Sequence, residues 1–198
     1  MRLLVATRNA GKLRELRGLL APEGIEVVGL ADLAGAGEIE EDADTFLGNA
    51  RKKAHALAET TGLPVLADDS GLAVDALGGR PGVRSARYAG PGATDADNNR
   101  RLLEELEGVP AARRGAAFVC AMVLAVPGDG EVTAEGRLGG RILEAPRGDQ
   151  GFGYDPLFLV EGTELTLAEM DLGAKNALSH RARALRAVLP GVRALRGA

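Results

Sequence analysis

The chain contains no tryptophan, one cysteine, two histidines, four phenylalanines and two tyrosines in 198 residues. A single cysteine, Cys120, excludes an intrachain disulfide and any cysteine-built metal cage. It sits in the apolar run Ala116 to Val126 and reads as a small buried hydrophobe. No apolar run approaches the ~20 residues needed to cross a bilayer. The first residues enter a strand pattern without the features of a signal peptide. A cytoplasmic protein with no membrane partner is therefore expected. An excess of basic charge is also missing: the formal net charge is −4, which offers no general attraction to nucleic acid. An anionic ligand would need a local basic site, with a metal ion to offset its charge.

What is present is a globular composition, 45% hydrophobic and 26% charged, with enough chain for one domain or a domain with a small lobe. Leu3 to Ala6 reads as a buried strand. Gly11 to Ala21 carries Leu13, Leu16, Leu19 and Leu20 on one helical face. Between them, Thr7-Arg8-Asn9-Ala10-Gly11-Lys12 forms a turn that aims free N–H groups and the positive end of a helix dipole at one spot. That spot suits phosphate, and Lys12 adds a charge to it. The same Asn and Gly also serve as ordinary cap and turn residues. The spacing is not that of a Walker A loop.

Further on, Ile25 to Val28 reads as a strand, Ala34 to Asp44 as an acidic loop, and Thr45 to Thr61 as a helix capped by Asp44 or Thr45. Pro64 to Asp68 is a strand expected to end in the turn Asp69-Ser70-Gly71. Neighbouring strand side chains point to opposite faces, so Asp68 and Asp69 are expected to have different jobs. Asp69 is a candidate ligand or base, and most of the acidic cluster Glu40, Glu41, Asp42 and Asp44 reads as solvated charge. Such oxygen ligands suit Mg²⁺. A turn-rich stretch spans residues 76–92. Thr94 to Leu106 reads as a capped helix, and 116–126 with 131–138 as a hairpin, a possible second lobe.

Gly151-Phe152-Gly153-Tyr154-Asp155-Pro156 then places two aromatics in a glycine-flanked loop, where they either stack on a base or cover the core edge. A strand follows at 157–160. One helix is expected over 176–189, carrying Ser179-His180-Arg181, whose His and Arg can read a base edge or simply cap. His55 reads as structural.

These segments, taken in order, resemble the inosine triphosphate pyrophosphatase family, which acts on non-canonical purine nucleoside triphosphates. The matching pieces are residues 7–12; Thr45-Phe46 with Asn49-Ala50 and Lys53; residues 66–72; Ser85-Ala86-Arg87-Tyr88; residues 151–156; and Ser179-His180-Arg181. They cover residues 3 to about 189. The resemblance implies an elongated, two-lobed α/β domain over 1–198, with a central mixed sheet flanked by helices and a cleft between the lobes. It implies a homodimer and a Mg²⁺-dependent hydrolase that turns ITP, dITP and XTP into monophosphate and pyrophosphate. Carried over, Thr7, Arg8, Asn9, Ala10, Gly11 and Lys12 hold the phosphates, with Lys53 a second cation. Glu41 and Asp69 bind magnesium, with Glu40 an alternative to Glu41. Asp69 is also the proton acceptor, Asp68 supports it, and Ser70 touches substrate. Phe152, Gly153, Tyr154, Asp155, Lys175, His180 and Arg181 make the base-side and closing contacts. Arg8 stands where the family often has Gly.

Overall fold

The computed structural model describes residues 2–33 and 39–195; part of the acidic segment expected at 34–44 therefore lies outside the described residues. A single six-stranded mixed sheet has the order β2-β1-β3-β4-β5-β6. The strands are β1 (Arg2–Val5), β2 (Glu26–Gly29), β3 (Val65–Val74), β4 (Gly115–Val126), β5 (Gly130–Ile142) and β6 (Phe158–Val160). Strand β1 pairs in parallel with β2 and β3, and β5 pairs antiparallel with β6. The helices are α1 (Ala10–Leu20), α2 (Phe46–Thr61), α3 (Asp95–Glu105), α4 (Leu172–Leu178) and α5 (His180–Ala194).

The chain divides into two compact units. The first comprises residues 1–69, 120–136 and 181–198; the second comprises 70–119 and 137–180. The hairpin tip, 120–136, thus belongs to the first unit rather than forming a lobe of its own.

Strand alternation sorts the core of the first unit into two layers. Leu3, Val5, Leu66, Cys120, Met122 and Leu124 face one way and pack with Leu16 and Leu20 of α1 and Leu185 and Val188 of α5. Leu4, Ala6, Val65, Ala67, Val123 and Ala125 face the other way, onto Ala50, Ala54, Leu57 and Ala58 of α2. Helix α2 starts where Thr45 Oγ1 accepts the Gly48 N–H at 3.0 Å, so Thr45, not Asp44, is the cap. It stops at Gly62, whose φ of +66° is the left-handed conformation of a helix end. In the second unit, Leu72, Val74, Ala116, Phe118 and Phe158 pack with Leu102 and Leu106 of α3.

Three expectations are corrected. Strand β3 does not end at Asp68; it runs on through Gly71, because Leu72 and Val74 are fully buried and hold the chain extended. Strand β5 likewise continues to Ile142, drawn on by its ladder with β6. The single terminal helix is two helices. Ser179 takes an extended conformation, φ −61° and ψ 154°, so α4 closes there and α5 opens at His180.

Candidate active site

In the first unit the site grows from the end of β1. That strand stops at Val5, opposite Leu66 of β3. Asp68 and Asp69 therefore outrun their parallel neighbour and stand beside the turn that follows it. The turn thus follows the end of β1, while the carboxylates sit mid-strand in β3.

The turn is tightly built. Thr7 Oγ1 accepts the Asn9 N–H at 3.2 Å, and Asn9 Oδ1 accepts the Lys12 N–H at 3.0 Å. Asn9 is thus the N-cap of α1, whose first turn carries no acidic residue to neutralise the helix terminus. Thr7 is buried, and Arg8, Asn9 and Ala10 are exposed. Lys12 turns inward, its Nζ 3.2 Å from Asp68 Oδ2.

Asp68 and Asp69 point to opposite faces, as their adjacency in a strand requires. Asp68 faces the α1–α5 layer, where Arg181 Nε donates to its Oδ2 at 3.2 Å. Arg181 also pairs with Glu15 of α1, and all three side chains are at most 3% exposed. Burial works to raise the Asp68 pKa, but Lys12, Arg181 and Lys53 outweigh it and hold the carboxyl well below the usual range. The Cys120 Sγ lies 3.9 Å from Asp68 Oδ2. Burial and the Asp68 charge push that thiol up to about 12, so it behaves as the inert hydrophobe the sequence suggests.

Asp69 faces the α2 layer, and its Oδ2 accepts from Asn49 Nδ2 at 2.9 Å. Burial lifts its pKa above the usual carboxylate value. Lys12, Lys53 and the Asn49 hydrogen bond oppose that rise without cancelling it, and Glu41 reinforces it. Lys53 is buried and donates to the Asp68 carbonyl at 2.7 Å and to Glu41 Oε1 at 3.0 Å. Glu41 is therefore the acid of the 40–44 segment that shares an electrostatic site with Asp69; Glu40 is exposed.

In the second unit a separate cluster surrounds the aromatic loop. Asp155 Oδ2 accepts the Phe152 N–H at 3.0 Å and Lys175 Nζ at 2.6 Å. The same ammonium lies 4.7 Å from the centroid of the Phe152 ring, a cation–π distance. Both ends of Gly153 are held by α3: its N–H donates to Asp95 Oδ2 at 2.7 Å and its carbonyl accepts from Asn99 Nδ2 at 3.0 Å. Gly151 adopts φ +81°, and a Cβ there would overlap the Asp155 carboxylate. Tyr154 belongs to the core, its hydroxyl donating to the Ser85 carbonyl at 2.8 Å. Of the two aromatics, one covers the core and Phe152 alone stays partly exposed. His180 is buried and stacks on Phe118, with ring centroids 4.9 Å apart and planes 10° from parallel. Ser70 is partly buried next to Asp69 in β3.

The expected residues thus fall into two sets. Thr7 to Lys12, Glu41, Lys53, Asp69 and Arg181 lie in the first unit, and Ser70, Phe152 to Asp155, Lys175 and His180 in the second. Arg181 is held between two buried carboxylates, Asp68 and Glu15. His55 pairs with Glu131 at 2.8 Å. Sequence reasoning assigned no role to Glu15, Asn49, Asp95 or Asn99. For two of these a signal existed: Glu15 adjoins the apolar face of α1, and Asn49 stands four residues before Lys53 on the buried face of α2.

The chain is 55% identical over 184 residues to the dITP/XTP pyrophosphatase of Geobacter sulfurreducens, covering 93% of this chain and 92% of the relative. Among solved structures it resembles a HAM1 protein from Coxiella burnetii, with a TM-score of 0.87 and 40% identity over 98% of each chain. The nucleoside-triphosphatase / dITP/XTP pyrophosphatase of Mycobacterium abscessus aligns with a TM-score of 0.77 and 47% identity over 97% of this chain and all of its own. The motifs that begin at the β1 turn and end at His180-Arg181 all fall inside residues 3–190, the span matched by the Ham1 family model, and the chain belongs to the Ham1 family.

Proposed function

We propose that the protein hydrolyses non-canonical purine nucleoside triphosphates (dITP, XTP and ITP) to the monophosphate and pyrophosphate. The observation that carries this reading is the first-unit arrangement of Lys12 and Lys53 around Asp68 and Asp69. Two cations serve a polyphosphate, and an oriented, incompletely neutralised carboxylate serves a water. The names of the relatives supply the substrate class.

The turn N–H groups of residues 8–11 and Lys12 would hold the phosphates, with Lys53 as the second cation. Asp68, kept ionised, fixes Lys12 in place. Asp69, held in place by the Asn49 amide, orients the attacking water and accepts its proton. The water oxygen bonds to the α-phosphorus while the bond from that phosphorus to the bridging oxygen breaks, and pyrophosphate leaves with the electron pair. Arg181 acts from behind, through Asp68.

The donor set fits a divalent cation. Glu41 and Asp69 offer hard carboxylate oxygens in one electrostatic site. Among the described residues no group of three His, Cys, Asp or Glu side chains is gathered for a metal. Mg²⁺ commonly takes one or two carboxylates and completes its shell with substrate phosphate and water. Held by Glu41 and Asp69, Mg²⁺ would offset part of the about four negative charges of a triphosphate.

On the base side, Phe152 offers a ring backed by the Lys175 ammonium, and Gly153, Asp155 and His180 shape the surroundings; Ser70 contributes a hydroxyl. A 6-oxo group distinguishes these bases from adenine, and rejection of guanine requires a penalty against its 2-amino group. Among the described residues no helix is long and apolar enough to cross a membrane. We place the enzyme in the cytoplasm as a homodimer, which sedimentation would check.

The test is product identity from ITP, XTP, dITP, ATP, GTP and dUTP, each with Mg²⁺ and with EDTA. Pyrophosphate from the first three alone, lost in EDTA, is the expected result. Orthophosphate, or equal turnover of all six, would overturn the chemistry or the selectivity.

A further inference from the structure

Asn49 is fully buried on the face of α2 that packs on β3, and its amide makes one hydrogen bond in each direction. Its Oδ1 accepts the Ala43 N–H at 2.9 Å, and its Nδ2 donates to Asp69 Oδ2 at 2.9 Å. The chemistry fixes the orientation. A backbone N–H can only donate, so the amide oxygen must face Ala43, which leaves the NH₂ facing the carboxylate. One helical turn later Lys53 joins the same two segments, binding the Glu41 carboxylate and the Asp68 carbonyl. Positions four apart lie one above the other on a helix face. The 41–43 segment and residues 68–69 of β3 are therefore tied to α2 by two rungs, one ionic and one neutral.

We propose that Asn49 is a positioning residue for the hydrolysis: it holds one oxygen of Asp69 in place and fixes the backbone that carries Glu41, so that the two carboxylates keep a set separation. The lysine rung would be drawn toward an incoming phosphate. The amide rung carries no net charge and stays in place when a polyanion binds. This proposal rests on the assignment of Asp69 as the catalytic carboxylate.

The two halves of the rung separate by substitution. Asn49→Asp keeps an acceptor for the Ala43 N–H but sets a second carboxylate against Asp69. Asn49→Ala removes both contacts. Amide hydrogen exchange at Ala43 and steady-state turnover of ITP with Mg²⁺ are measured for each variant, alongside Asp69→Asn. In Asn49→Ala, Ala43 exchange should rise about tenfold or more while the α2 amides stay protected. In Asn49→Asp, Ala43 should keep its protection. In both, kcat should fall on the order of 100-fold with KM for ITP within about threefold of the native value.

Native-like kcat in Asn49→Asp, unchanged Ala43 exchange in Asn49→Ala, or a loss expressed only in KM would overturn the proposal. So would unfolding of both variants, which would make Asn49 a residue of the fold alone. If Asp69→Asn itself turns over normally, the reading of the active site fails instead. An inactive Asp69→Asn beside active Asn49 variants removes only the role given to Asn49.

Discussion

The Arg181 guanidinium and the Asp68 carboxylate meet at 3.2 Å, although they stand 113 positions apart in the chain, and each is 1% exposed. Glu15 closes the other side of the arginine. Removing one partner from such a group is costly because the remaining charges stay buried. Arg181→Met should lower the unfolding free energy by about 3–5 kcal/mol, as for other broken buried pairs, measured by urea denaturation at neutral pH. A loss below about 1 kcal/mol would mean that Lys12 alone compensates Asp68.

The acid response should follow from Asp68. Its folded-state pKa lies below the usual 3.8, so the unfolded chain takes up the proton first as pH falls. The stabilisation is complete above about pH 4 and drains away on further acidification toward the folded-state value. Asp68→Asn should therefore be less stable than the native protein at pH 7, with a flatter decline below pH 4. Parallel decline of the two proteins in acid would show that other carboxylates govern the limb.

Asp69 has the opposite sign. Its pKa is raised by burial, so the native state holds a proton that the unfolded chain has released. Stability then falls as pH climbs from the usual 3.8 through the folded-state value. Asp69→Asn should melt no lower than the native protein at pH 7, and the difference should close in acid. Its turnover should drop by about 10²–10⁴, the range for a lost general base. Near-normal turnover would refute the role given to Asp69.

Lys12→Ala tests the phosphate turn. Loss of one charge-assisted contact, about 1.5–3 kcal/mol, should raise KM for ITP roughly 10- to 100-fold. Unchanged kinetics would leave residues 7–12 as a helix cap and nothing more.

Most of the first unit was legible because its signals are local. A four-residue apolar run, a capping Asn and Thr, and apolar stripes on two helices are each contained in one segment. The split of Asp68 from Asp69 was legible as well, since it follows from strand geometry alone. The continuation of β3 past Asp69 was not: Ser70-Gly71 has turn composition, and the burial that overrides it is supplied by Phe118 and α3, remote in sequence. The burial of Arg181 escaped for the same reason, because its partner Glu15 lies in α1. Asp155 reads as a loop acid, yet Lys175 and the Phe152 amide make it a buried anchor.

The division of labour within β3 depends on parity. Asp68 belongs with Leu66 on the α1–α5 side, and Asp69 belongs with Val65 and Ala67 on the α2 side. A shift of one position exchanges the faces of every residue in a strand. An insertion or deletion of one residue in the 65–67 stretch would leave both aspartates in the sequence but give each the other's surroundings. The buried ion partner would face α2, and the oriented carboxylate would be trapped beside Arg181. Substitutions along that stretch can be graded by size and polarity, but a change in its length acts as an all-or-none switch.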